Sequence, residues 1–136
     1  SKGAKVLTGG KRLKRKGYFF QPTLLANVRP NMKVVTSEVF GPVAPIVTVK
    51  DEEEAIQVAN ATEFGLGGSV WTMDLERGVK VARRIEAGLL FVNAMTKSDP
   101  RMPFGGVKKS GLGRELSKFG IKEFVNVKAV NVYEPR

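Results

Sequence analysis

Apolar and polar residues alternate along this chain in short blocks with two different spacings. Lys5-Val6-Leu7-Thr8 reads as a short strand closed by Gly9-Gly10. Tyr18 to Leu25 is aromatic and apolar and predicts a second strand, edge or bulged because Pro22 cannot donate to a ladder. Together they predict a β-hairpin with the basic run Lys11 to Lys16 at its tip. Asn27 to Ser37 is a connector in which Met32 to Val35 form a single turn. Val43 to Val49 is rich in β-branched residues and predicts a buried strand.

Helical signals begin at Asp51. It can cap an N-terminus, and Glu54 follows at capping-box spacing. Glu52 and Glu53 lie where the helix dipole favours negative charge. Ala55, Ile56 and Ala59 form the apolar stripe, and Phe64 to Gly68 ends the unit. Ser69 to Thr72 is the next expected strand. Asp74 caps a second helix, whose apolar face is Leu75, Val79, Ala82 and Ile85, with Gly88 as its C-cap. Leu89 to Val92 follows as a strand. Leu112, Leu116, Phe119 and Phe124 mark a third helical segment interrupted by Gly120, and Val125 to Tyr133 is strand-like. Strand–helix–strand–helix–strand order predicts parallel βαβ units and an α/β fold class. The terminal strand is expected at a sheet edge, where partners pair.

Asn93 to Glu115 fits neither spacing, because two prolines and four glycines interrupt it. So long an unstructured connection is rare in a compact domain unless it is functional or disordered. Met102, Pro103, Phe104 and Val107 want burial, which argues for order. The expectation is an ordered functional loop at the carboxyl end of a strand, where ligands bind in open α/β sheets.

Composition narrows the chemistry. A chain of 136 residues is enough for one domain burying roughly two-thirds of its unfolded surface. No apolar run reaches the roughly 18–20 residues that cross a bilayer, and no membrane partner is expected. Ser1 in place of Met points to a processed or partial chain. Cysteine and histidine are both absent, which removes disulfides, thiolate or imidazole metal sites, Ser–His–Asp systems and cysteine nucleophiles. That leaves only a serine or lysine in an unfamiliar setting as a nucleophile within this chain. The lack of cysteine fits a reducing compartment, so the expected location is cytoplasmic. The net charge of +10 raises nucleic-acid binding as a reading. Outside the run Lys11 to Lys16 the bases are scattered among acids, so a solvated hairpin tip and no nucleic-acid partner are expected.

Two glycine motifs fail as phosphate cradles. Gly106 to Gly111 has the P-loop glycines, but Leu112 stands where the lysine belongs. Gly111-Leu112-Gly113 lacks the third glycine and follows a loop rather than a strand. Glu38-Val39-Phe40-Gly41-Pro42 is open to two readings. The Glu38 carboxylate can accept two hydrogen bonds from a ribose-like diol, with Phe40 packed on a flat ring. Alternatively Glu38 pairs with a nearby cation and Phe40 is core.

GYFFQPTLL, EVFGPV, FGLGGSVWTMD, AGLLFVN and PFGGVKKSGLGRE occur in that order. Together they closely resemble the C-terminal portion of the aldehyde dehydrogenase superfamily, over essentially the whole chain, and the loop most resembles the succinate-semialdehyde branch. The resemblance implies an α/β catalytic-domain segment over residues 1–126 and an oligomerisation strand over 127–136. It implies that Glu38 binds the nicotinamide ribose of NAD or NADP and that Phe40 contacts the nicotinamide end. Phe104 would line the aldehyde tunnel, and Ser98 would sit near a substrate's distal carboxylate, with Arg101 a further candidate in that loop. For Ser110, Arg114 and Glu115 the expectation is capping and pairing that hold the loop on the following helix. Implied partners are a small-molecule aldehyde and further copies of the chain. The family reaction runs by thiolate attack, hydride transfer and thioester hydrolysis. Its cysteine, general base and oxyanion asparagine would lie upstream of Ser1, so no catalytic residue is expected here and the chain alone should be inactive. The competing expectation is a stand-alone module that kept the fold for self-association or binding.

Overall fold

The computed structural model describes residues 3–135, in two units of which one ends at Glu63 and the other starts at Phe64. In the first unit β1 (Lys5–Thr8) pairs antiparallel with β2 (Thr23–Ala26), with a register shift between Val6 and Thr8. The hairpin is as expected, but β2 starts only after Pro22. Before it, Arg12 bridges Phe20, and Leu13 N–H donates to Phe19 O at 2.9 Å. Two consecutive left-handed residues, Gly9 at φ +74° and Gly10 at φ +77°, separate the two ladders. A side chain at Gly9 would strike Pro22 O and Thr23 Oγ1. The buried Thr23 hydroxyl accepts from Gly10 N–H at 2.7 Å and donates to Gln21 O at 2.8 Å, so both of its hydrogen-bonding roles are filled.

From β2 the chain passes through α1 (Lys33–Thr36), the expected single turn, to β3 (Val43–Pro45). β3 lies parallel to β2, so β2–α1–β3 is a small βαβ unit. The buried strand expected over Val43 to Val49 is shortened to these three residues, and Ala44 and Pro45 are exposed. Its β-branched residues signal strand geometry, but only β2 pairs with it among the described residues. α2 (Glu52–Asn60) is capped as predicted, with Asp51 Oδ1 accepting from Glu54 N–H at 2.8 Å. Glu54 reaches back one residue further than a capping box requires, to Lys50 N–H at 2.8 Å. Ile56 is buried on this helix but Ala59 is exposed. With Val28 and Met32, Ile56 makes up the buried apolar core among the described residues, all at 5% exposure.

The second unit holds β4 (Phe64–Gly65), β5 (Gly67–Val70), α3 (Leu75–Ala82), β6 (Leu89–Val92), β7 (Val107–Lys108) and α4 (Ser117–Lys122). β5 and β6 pair in parallel around α3, a second βαβ unit. β5 begins two residues earlier than expected and ends before Trp71. Asp74 caps α3 as predicted, its Oδ1 accepting from Arg77 N–H at 3.0 Å. Of the predicted face of α3 and the turn after it, Ala82 and Ile85 are half-buried but the N-terminal half is not. Leu75 is 63% and Val79 44% exposed, whereas Gly78 is buried against Val92 and Thr72. Gly88 is not a C-cap either, since Arg83 holds that position. Gly88 instead lies directly under the backbone of Gly105 and donates its N–H to Gly65 O at 3.0 Å.

α4 contains Gly120 rather than stopping at it, and Leu112 lies outside the helix at 99% exposure. No strand forms over Val125 to Tyr133, nor over the described part of 127–136, whose last residue Arg136 lies outside the described residues. A strand needs a partner for its backbone groups, and none of the described residues provides one. The chain exposes 11238 Å². Two separate compact bodies of half its mass would together expose only about 8,500 Å². Much apolar surface thus stays in water, including Tyr18, Phe40, Met73 and Phe124.

Candidate functional site

The segment Asn93 to Glu115 is folded, and its order comes from backbone pairing at three points. β7 pairs antiparallel with β4, with Gly65 opposite Val107. Phe104 and Glu115 exchange both backbone hydrogen bonds, at 2.8 and 2.6 Å. Pro100 O accepts from Ser117 N–H at 3.0 Å, which fastens the far end of the loop to the start of α4. Pro103, Phe104 and Val107 are half-buried, as their apolar character demands, while Met102 is 59% exposed.

Ser110, Arg114 and Glu115 hold the loop to β4 and to itself rather than to the following helix. Ser110 Oγ accepts from Gly65 N–H at 2.9 Å. Arg114 Nη1 donates to Gly106 O at 2.9 Å and to Gly113 O at 2.6 Å. Lys108 sits at φ +56° and its ammonium meets Glu86 at 2.8 Å. Leu66, Phe104 to Gly106 and Ser110 to Glu115 together line a cavity of about 230 Å³.

Ser98 is exposed at the approach to a tight turn. Asp99 O accepts from Met102 N–H at 2.9 Å, and Asp99 Oδ1 accepts from Arg101 N–H at 2.9 Å. The Arg101 guanidinium then grips the same carboxylate with two bonds, 2.9 Å from Nε and 2.7 Å from Nη2. These hydrogen bonds hold the Asp99 carboxyl well below the usual carboxylate range and raise the Arg101 guanidinium above its ordinary value. The turn at Asp99-Pro100 is the alternative setting open for Ser98, and what the residues did not announce is the grip of Arg101 on the Asp99 carboxylate.

Glu38 and Phe40 lie in the first unit, in the irregular segment between α1 and β3. Among the described residues neither side chain is core or ion-paired. Phe40 is 96% exposed, and the Glu38 carboxylate is exposed with no ion pair to any described residue. Gly41 N–H donates to Val39 O at 3.0 Å and Val43 N–H to Gly41 O at 2.8 Å, and Pro42 O accepts from Thr23 N–H at 2.7 Å. Backbone bonds therefore tie the segment to β2 while both side chains stay free. A free carboxylate and an unburied ring fit a diol-bearing, ring-bearing ligand. Among the described residues no cluster of acids is arranged to hold a metal ion, and no helix is long and apolar enough to cross a membrane.

Comparison with known proteins covers nearly the whole chain. The model of the aldehyde dehydrogenase family matches residues 1–130. A succinate-semialdehyde dehydrogenase [NADP(+)] of Deinococcus radiodurans is 48% identical over 132 residues, which is 97% of this chain and 28% of that protein. A probable succinate-semialdehyde dehydrogenase [NADP(+)] of Synechocystis is 54% identical over 128 residues, again 28% of its length. The crystal structure of an NAD-dependent aldehyde dehydrogenase from Sinorhizobium meliloti superposes with a TM-score of 0.94 at 44% identity, covering 99% of this chain and 27% of that one. The chain thus spans a little over a quarter of the length of the relatives it matches.

Proposed function

Because the chain belongs to the aldehyde dehydrogenase family, we propose that it is the C-terminal segment of an enzyme oxidising an aldehyde to a carboxylate with NAD or NADP. The aldehyde on this reading is a semialdehyde, of which succinate semialdehyde is the leading candidate. Relatives of that name at 48% and 54% identity support it. The same reading puts the enzyme in the cytoplasm and joins its copies through the extended segment after Asn126.

One observation carries the cofactor assignment: Phe40 is a large apolar side chain left 96% exposed, two residues from a free Glu38 carboxylate. Stranding a phenylalanine in water forfeits about 1.5–3 kcal/mol relative to burial. A ligand presenting a flat ring and a ribose recovers that energy and satisfies the carboxylate. A bound nicotinamide cofactor would supply the hydride acceptor; Glu38 would orient its ribose and Phe40 would cover one end of the ring. In the second unit, half-buried Phe104 would form an apolar wall and the exposed Ser98 hydroxyl would donate to a distal carboxylate. With no cysteine or histidine, this chain contributes binding groups and no family nucleophile.

The test is a steady-state assay of the full-length gene product with succinate semialdehyde, an uncharged aldehyde of equal length, NAD and NADP. Glu38→Gln should raise the KM for the dinucleotide several-fold with a smaller change for the aldehyde. Ser98→Ala should raise the KM for succinate semialdehyde alone. Equal activity on the uncharged aldehyde would defeat the semialdehyde assignment, and an unchanged dinucleotide KM in Glu38→Gln would defeat the ribose contact.

A further inference from the structure

Counted by position, the charge of this chain is strongly uneven. Residues 1–37 carry nine bases, Lys2, Lys5, Lys11, Arg12, Lys14, Arg15, Lys16, Arg29 and Lys33, and no acid. Of the 23 bases that leaves 14 for the rest of the chain, against all 13 acids. Nearly the whole excess of +10 therefore lies before Glu38, and half of it sits on the hairpin tip.

The tip is a built structure rather than a solvated tail. Gln21 N–H donates to Lys11 O, Leu13 N–H to Phe19 O and Arg15 N–H to Leu13 O, each at 2.9 Å. Gly17 at φ +113° turns the chain back, and its carbonyl accepts from Arg12 Nη2 at 3.1 Å. Lys11, Arg12, Lys14, Arg15 and Lys16 are all exposed, and none is ion-paired with a described residue. Five like charges on one tight turn repel one another, which disfavours the turn unless an anion lies across it. Beside them stand aromatics. The Arg15 guanidinium lies 3.7 Å from the Phe19 ring centroid and covers that ring. Tyr18 is fully exposed, at 101%, with both ring faces open.

We propose that this hairpin binds single-stranded nucleic acid. Cations track its phosphates and Tyr18 stacks on a base, the pairing of groups that sequence-tolerant single-strand binders use. The fully open Tyr18 ring decides against the two other polyanions that five cations would attract. A duplex keeps its bases stacked and has no use for Tyr18. An anionic bilayer needs more inserted apolar surface than Tyr18 and the part-exposed Phe19 and Phe20 offer. The expectation of no nucleic-acid partner weighed the cluster without the acid-free stretch around it or the open ring.

Fluorescence anisotropy of the full chain with a labelled oligo(dT) 20-mer tests the proposal, alongside a 20-base-pair duplex and vesicles containing phosphatidylserine. Five phosphate contacts predict that log K falls with log salt at a slope of about −3.5 for the single strand. Tyr18→Ala should weaken that binding roughly fivefold or more at unchanged slope, and Tyr18→Phe should restore it. Replacing Lys14 and Lys16 by Gln should flatten the slope by about 1.4, and the unchanged circular dichroism of each variant serves as the folding control. No binding at 50 mM salt, equal or tighter binding to the duplex or the vesicles, or a silent Tyr18→Ala would each overturn the assignment.

Discussion

Replacing Gly88 by alanine drives a methyl group into the backbone of the segment that carries Phe104. A Cβ built there strikes Gly105 O, comes within 2.7 Å of Gly105 C and lies 3.1 Å from Gly106 Cα. All three atoms are main chain, so no rotamer change relieves the overlap. Either β6 or the loop must move. β6 is fixed to β5 over four residue pairs, whereas the loop is fixed to β4 over two, so the loop gives way. Overpacking of this kind costs ~1–3 kcal/mol. Retreat of the loop also stretches the 2.9 Å bond from Gly65 N–H to Ser110 Oγ, worth ~1 kcal/mol. The expected loss is ~2–4 kcal/mol, which lowers the Tm by roughly 10 °C in a chain of this size. Gly41→Ala is the matched control. Its Cβ meets only Val39 Cγ1, at 4.0 Å, and its loss should stay within ~0.5 kcal/mol. Thermal melts by circular dichroism give both numbers, and amide exchange at Gly65 and Phe104 locates the damage. A Gly88→Ala melt indistinguishable from that of Gly41→Ala would refute the close approach and the argument built on it.

The Asp99 carboxyl should titrate below the roughly 3.9 of an unperturbed aspartate, and Arg101→Met should bring it back toward that value in a carbon-detected NMR titration. Because the folded-state value is depressed, the turn's contribution is present above the ordinary aspartate range and fades as pH falls through the lowered value. Asp74→Ala removes the side-chain acceptor that caps Arg77 N–H and should cost about 1 kcal/mol by urea denaturation, with Asp74→Asn close to neutral. The chain should self-associate through its exposed apolar surface. Sedimentation velocity should show mass rising with concentration, and a clean monomer at high concentration would refute this.

Features that depend on local chemistry were legible in the sequence. Asp51 and Asp74 announce their helices because a cap is a contact between residues three apart. Gly9-Gly10 announces the hairpin because only its backbone freedom suits the break between the ladders. The parallel pairing of β5 and β6 follows from a helix between two short apolar runs. What failed depends on neighbours that spacing cannot name. Leu75 and Val79 have helical periodicity, but the buried side of α3 is the one where Gly78 leaves room for the Val92 and Thr72 side chains. Val125 to Tyr133 has strand composition, and composition supplies no second strand. For Glu38 and Phe40 the residues alone allowed either a ligand contact or a core pair, and spacing could not say that both stay exposed among the described residues.

The bare stretch after Glu123 also sets the hazards of handling this polypeptide. Val125, Val127, Val130, Val132 and Tyr133 are at least half exposed, and between Val125 and Tyr133 there is no proline and a single charge, Lys128. Low charge, β-branched content and unsatisfied backbone are the recipe for cross-β stacking. Lys128 is the lone gatekeeper against fibrils, and acetylating it or mutating it to an uncharged residue would leave that template unguarded.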